Sequence, residues 1–191
     1  MTPPAAVRAT QSAASLHDRL KDPSLLRDRC YIDGAWVGTP EFAVNNPATG
    51  VELIKIAQLG ADDATKAVEA AQRAFPAWAK LEGRRVYGET IPTQRADARL
   101  LAIRQPIGVC GAITPWNFPN SMITRKVSPA LAAGCTVVLK PANETPLSAL
   151  ALAVLAEKAG VPKGVLNIIT GDAPPIGQVL CEHPAVRFVG F

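Results

Sequence analysis

Residues 106–146, PIGVCGAITPWNFPNSMITRKVSPALAAGCTVVLKPANETP, hold two short apolar runs on either side of one amphipathic segment. Each run ends in polar residues punctuated by proline. That order marks a β-α-β unit, in which two parallel strands are joined by a crossover helix. The first run, residues 107–113, has a glycine on either side of Cys110 and reads as a buried strand ending at Thr114-Pro115. The second, residues 136–139, stops at Lys140-Pro141. An α/β fold with a parallel, Rossmann-like sheet is therefore expected. In such a sheet ligands sit outside the carboxyl ends of the strands, so Trp116, Asn117, Lys140 and Asn143 should line one crevice.

The same residues resemble a known family. "TPWNFP", followed at a fixed distance by "LAAGCTVVLKPANETPLSA", is similar to the aldehyde dehydrogenase superfamily. "CYIDGAWV", "NPATG", "GETIP", "RQPIGV" and "GVPKGVLNIITG" match its further landmarks in order. "PWNFPNSMITRKVSPALAAGC" is most similar to the succinate-semialdehyde dehydrogenases. The resemblance runs from about residue 25 to the last residue. It implies a cofactor-binding domain over residues 25–191, with an N-terminal β-hairpin region and an oligomerisation-type hairpin arm over residues 87–109. The implied reaction is NAD(P)-dependent oxidation of an aldehyde, succinate semialdehyde to succinate, with NADP or NAD as cofactor.

Two departures bear on activity. The helices that precede "YGETIP" in the family are missing, because Lys80 leads almost directly to Tyr87, and the chain stops at Phe191. The family's nucleophilic cysteine and general-base glutamate lie beyond that point. The expectation is an incomplete Rossmann-like sheet without its catalytic domain, inactive alone. The alternative is a non-catalytic dinucleotide-binding or subunit-interaction remnant, in a homo-oligomer or paired with a full-length relative.

Residue roles follow from the resemblance and from chemistry. A side-chain amide at Asn117 suits an oxyanion, its bland alternative being a helix cap. Lys140, within "KPAN" with Pro141, Ala142 and Asn143, is implied to donate to the ribose or phosphates of the cofactor. Asn143 stands where many NAD-preferring relatives carry a glutamate. A neutral side chain there removes a repulsion against a 2′-phosphate and favours NADP, although Glu144 is near enough in sequence to reverse this. Trp116 and the backbone from Ile113 are implied to line the nicotinamide side. Arg125, eight residues past Asn117, should return to nearly the same helical face and fork onto a substrate carboxylate. A surface arginine is the alternative. Cys110 and Cys135 read as small buried hydrophobes, and Cys30 and Cys181 match no catalytic motif.

Composition excludes little else. A net charge of +4, spread along the 191 residues, shows no basic cluster interleaved with aromatics, so nucleic acid is not an expected partner. Charges at Lys140, Glu157 and Lys158 interrupt the most apolar region, so no membrane span is expected. Nor is a metal site, because the four cysteines are scattered. Residues 1–24 read as a flexible leader and the location as cytoplasmic. Strands are expected over residues 30–37, 41–44, 51–57, 165–169 and 186–189, with a tight turn at Asp33-Gly34. Helices are expected over residues 62–75, broken at Pro76, over residues 146–159, capped by Thr145, and over residues 175–181.

Overall fold

The computed structural model describes residues 16–82 and 86–191. Its centre is the expected crossover: strand β7 (Val109–Ile113), helix α2 (Pro119–Ala132) and strand β8 (Thr136–Lys140), with Val109 opposite Thr136 and Ile113 opposite Lys140. Strand β7 starts two residues later than its apolar run. Gly108 has φ of 126°, and a Cβ there would meet the Arg187 side chain, so the chain bends at that glycine before pairing begins. Helix α3 (Leu147–Lys158) then leads to β9 (Leu166–Ile168), and α4 (Ala173–Glu182) leads back to β10 (Val186–Gly190). These strands are all parallel, in the order β10-β7-β8-β9.

Each strand alternates its side chains between two apolar layers. Cys110, Ala112, Val137 and Leu139 face α2 and α3, where Ile123, Val127, Leu150 and Ala153 meet them. Val109 and Val138 face the opposite side, against Ala64, Ala67, Val68 and Ala71 of α1 (Ala61–Glu82) and Ile176 and Leu180 of α4. Both faces of a parallel sheet must be covered, which is why its strands read as continuous apolar runs.

Strands β1 (Cys30–Ile32) and β2 (Ala35–Val37) form the expected hairpin, and the turn residues Asp33 and Gly34 take φ of 51° and 74°. Positive φ at both central residues is what a two-residue hairpin turn demands. The hairpin does not stand apart. Its strand β1 joins the main sheet antiparallel to β9, with Tyr31 opposite Ile168, and extends the order to β10-β7-β8-β9-β1-β2. The buried Asn167 secures this junction. Its Oδ1 accepts from the Asp33 amide at 3.0 Å, and its Nδ2 donates to Gly164 O at 2.7 Å. Strands β3 (Pro40–Asn45) and β4 (Glu52–Ala57) form a separate antiparallel ladder. So do β5 (Glu89–Ile91) and β6 (Leu100–Ala102), inside the expected arm.

Three local expectations are corrected. Helix α1 runs through Pro76, although proline removes one helical hydrogen bond. Its later turns are anchored by Trp78, whose Nε1 donates to Leu131 O at 3.2 Å. Thr145 does not cap α3, since its buried hydroxyl has no hydrogen-bond partner among the described residues. Its amide instead closes a turn onto Ala142 O. The flexible leader was expected to run to residue 24, but Pro23–Leu25 forms a 3-10 turn. Lys158 at the end of α3 holds it, through Asp22 Oδ2 at 3.0 Å and Ser24 Oγ at 2.9 Å. Residues 1–15 of that leader lie outside the described residues.

Candidate functional site

The parallel strands share one carboxyl edge, built from the segments after β7, β8 and β9. The Thr114 amide donates to Lys140 O at 3.1 Å, which joins the first two of these segments directly. The chain also reverses its winding here. From β7 it proceeds through β8 to β9, then crosses back so that β10 lies on the far side of β7. Such a reversal leaves the loops on either side diverging, and the gap between them is where open α/β sheets hold ligands.

Lys140 is the most constrained residue at this edge. Only 4% of it is exposed, and its Nζ donates to Pro141 O at 3.1 Å and to Asn143 Oδ1 at 3.3 Å. Burial pushes its pKa down from the ordinary lysine value, while the carboxylates of Glu144 and Asp172 act in the other direction. Strand β8 ends at this lysine because Pro141 carries no N–H to continue the ladder. Pro141 is buried, and Ala142 and Asn143 are half-buried, in the turn leading to α3. Asn143, by accepting from Nζ, helps to orient the lysine.

The segment after β7 is different in character. Ile113 is half-buried and Thr114 buried, but Trp116, Asn117 and Phe118 are exposed, Trp116 to 62%. Trp116 is thus no core tryptophan. Asn117 is no helix cap either, since Phe118 occupies that position of α2 without any side-chain capping bond. The amide side chain of Asn117 is left facing outward at the strand's end.

The structure does not place Arg125 on a helical face with Asn117. Helical geometry begins at Pro119, so an eight-residue offset from Asn117 has no helical register. Arg125 instead lines a cavity of about 620 Å³ between α2 and the β7–β10 side of the sheet, with Met122 Sδ at 3.9 Å from its Nη1. Asn117, Trp116 and Lys140 are not among that cavity's lining residues. Asp172, which bears on Lys140 from the start of α4, escaped the sequence reading because no local pattern shows which loops share an edge. Among the described residues no group of three or more histidine, cysteine and acidic side chains is placed to hold a metal ion, and no helix is long and apolar enough to cross a membrane.

Comparison with known proteins agrees with this architecture. Residues 36–85 and 81–191 match the aldehyde dehydrogenase family. The chain belongs to that family. A 3-sulfolactaldehyde dehydrogenase of Pseudomonas putida is 46% identical over 90% of the chain and 47% of its own length. The NADP(+) succinate-semialdehyde dehydrogenase GabD of Escherichia coli is 41% identical over 91% of the chain and 48% of its own length. Among solved structures, a succinate-semialdehyde dehydrogenase from Burkholderia pseudomallei superposes with a TM-score of 0.82 at 40% identity, over 89% of this chain and 47% of that one. The chain spans about half the length of the curated relatives it matches. The first alignment covers 229 positions yet holds 90% of a 191-residue chain, so several dozen positions of the relative face a gap. The two matched segments overlap at residues 81–85, next to Lys80, after which the family's helices were expected to be missing.

Proposed function

We propose that the carboxyl edge of β7 and β8 is one wall of a nicotinamide dinucleotide site, in an enzyme that oxidises an aldehyde bearing a distal anion. The observation that carries this reading is the buried Lys140. An ammonium withdrawn from water at a strand end, held by one carbonyl and one amide oxygen, keeps donor capacity for a further oxygen ligand. A ribose hydroxyl or a phosphate oxygen suits that donor. When bound, the dinucleotide supplies the hydride acceptor. Lys140 would hold its ribose or phosphates, with Pro141, Ala142 and Asn143 shaping the turn, and Ile113 and Trp116 would line the nicotinamide side. Neutral Asn143, already turned toward Lys140, adds no carboxylate against a 2′-phosphate, which favours NADP.

Asn117 would present an amide N–H to the oxyanion that develops when an aldehyde is attacked. One such donor is typically worth about 3 kcal/mol in the transition state. The substrate class rests on the relatives. Succinate and glutarate semialdehydes carry a distal carboxylate and 3-sulfolactaldehyde a sulfonate, and Arg125 would serve as the residue that recognises this anion. Turnover needs the family's cysteine nucleophile and glutamate base, which the resemblance puts beyond Phe191.

The test is a titration of the purified chain with NADP and NAD in parallel, read by tryptophan fluorescence, with Lys140→Ala as control. Saturable quenching that Lys140→Ala removes supports the site, and tighter binding of NADP supports the role given to Asn143. Absence of binding to both cofactors sinks the reading. A second reading, a subunit-interaction remnant, draws on the arm, where Tyr87, Ile91, Leu100, Leu101 and Ile103 are all exposed. Co-elution with a full-length relative, lost on Leu101→Lys, is its expected outcome.

A further inference from the structure

Helix α3 is apolar on every side. From Leu147 to Ala156 it reads LSALALAVLA, in which Ser148 alone is polar, and a helix of that composition is ordinarily enclosed by protein on all faces. Among the described residues one face is enclosed, where Leu150 and Ala153 are fully buried in the layer between α3 and the sheet. Leu155 is 46% exposed, and Leu152 and Ala156 are half-buried. Together with Val127 and Leu131 of α2 these residues line a groove of about 250 Å³, with Leu139 of β8 at its floor. The groove has room for side chains rather than for a whole helix. A helical occupant therefore lies along α2 and α3 and lowers apolar residues between them, ridge into groove.

The end of α1 and the alignment with the relatives say what that occupant is. The early turns of α1 pack on the opposite face of the sheet, but Trp78, one turn before the helix ends at Glu82, donates to the carbonyl of Leu131, a groove residue. The two segments matched to the family overlap at residues 81–85, directly after this anchor, and several dozen positions of the 3-sulfolactaldehyde dehydrogenase face a gap in this chain. Residues inserted at that point set out from beside the groove. We propose that the α2–α3 groove is the seat of an amphipathic helix that this chain lacks, the segment its relatives carry after the position of Lys80, and that the chain takes up this helix from a second polypeptide. The bound helix presents apolar residues three and four apart to the groove and turns its polar face to water. A second copy of the chain has no such segment to offer. The proposal does not depend on the dinucleotide site, since Trp116, Asn117 and Lys140 are not among the groove's lining residues.

The experiment uses the full chain and a fluorescein-labelled peptide with the sequence of the Escherichia coli succinate-semialdehyde dehydrogenase GabD that faces the gap. Anisotropy should rise saturably to one peptide per chain. Leu155→Lys changes a residue exposed enough for the free chain to keep its Tm, and it should weaken the peptide by about tenfold or more, because the leucine is no longer there to be covered. Leu101→Lys, on the exposed arm, should leave the affinity unchanged. In a second measurement the same segment is inserted after Glu82, where it should raise Tm, and Leu155→Lys should then lower Tm in the inserted chain alone. The proposal is overturned if the peptide does not bind saturably, if Leu155→Lys leaves its binding unchanged, or if Leu155→Lys shifts Tm equally with and without the insertion. A dimer of the chain in sedimentation that Leu155→Lys dissolves would also overturn it, since a second copy would then hold the groove.

Discussion

Replacing Lys140 by methionine separates binding from folding, because the two depend on opposite properties of this side chain. Methionine keeps the buried stem and removes the ammonium. For the fold, losing the charge relieves the desolvation of a group only 4% exposed, a cost of several kcal/mol per ion in protein interiors. Against that stand the lost attraction of Glu144 and Asp172 and two acceptors, Pro141 O and Asn143 Oδ1, left without this donor. Each abandoned acceptor costs about 1–3 kcal/mol when water cannot replace the donor. These contributions nearly cancel, so the stability change should stay within about 1 kcal/mol, a shift of no more than roughly 4 °C in Tm for a chain of this size. For the dinucleotide nothing offsets the loss. A charge-assisted hydrogen bond is worth about 2 kcal/mol net, which corresponds to a roughly 30-fold weaker Kd. Thermal melts and the NADP titration on one preparation measure both quantities. An unchanged Kd would refute the donor role. A fall of more than about 10 °C in Tm would refute the claim that the buried charge is carried at a cost.

Raising the pH should move the same two quantities in opposite directions. The Lys140 pKa is lowered in the fold, so between that value and the unfolded 10.5 the unfolded chain binds more protons and stability rises with pH, while dinucleotide affinity falls. The difference between wild type and Lys140→Met in urea melts isolates this titration, and a difference that runs the other way would refute the sign. Asn167→Leu should destabilise the protein by about 3 kcal/mol, roughly 10 °C in Tm, since it leaves the buried Gly164 O and the part-buried Asp33 amide without their partner. A change under 2 °C would mean that the β1–β9 junction relies on apolar packing alone. At the other end of the pH scale, Asp22 is held at about 2 by the Ser24 hydroxyl and Lys158, below the ordinary 3.8. Its small contribution is therefore present above pH ~4 and lost as pH falls through about 2. An NMR titration should show the Asp22 midpoint rising in Ser24→Ala.

What could be read in the sequence was local or carried by a motif. The crossover from β7 to β8 announces itself in apolar runs that end at Pro115 and Pro141, and the Asp33-Gly34 turn in a dipeptide that tolerates positive φ. The place of Lys140 at the end of a buried strand was legible because "KPAN" follows an apolar run directly. The junction of β1 with β9 was not, since Tyr31 meets Ile168 across most of the chain and the bond that secures it comes from Asn167, an unremarkable residue inside an apolar run. Pro76 misled because local propensity was overruled by a tertiary anchor, the Trp78 bond to Leu131. Cys110 and Cys135 each read correctly as buried. That both face the α2 side of the sheet depends on strand register, which no single run contains.

The two halves of the candidate site differ in how firmly the fold holds them, and that difference bears on what each can do alone. Lys140 is fixed by its hydrogen bond to Asn143, by burial and by a proline-ended strand, so the donor proposed for the dinucleotide is preorganised. Trp116, Asn117 and Phe118 project from the segment before α2, and Asn117 is exposed without a capping bond. An oxyanion donor works only when its direction is fixed before charge develops. Asn117 therefore has the chemistry for the role proposed for it without the support, which has to come from whatever covers the two exposed aromatic rings beside it. Asn117→Ala should accordingly leave Tm within about 1 °C, as expected for an exposed side chain outside any network. In an assembly that supplies the cysteine nucleophile it should lower kcat by roughly 100-fold or more. A large loss of stability in the isolated chain would show instead that Asn117 is already held, and that the segment after β7 is as preorganised as the one after β8.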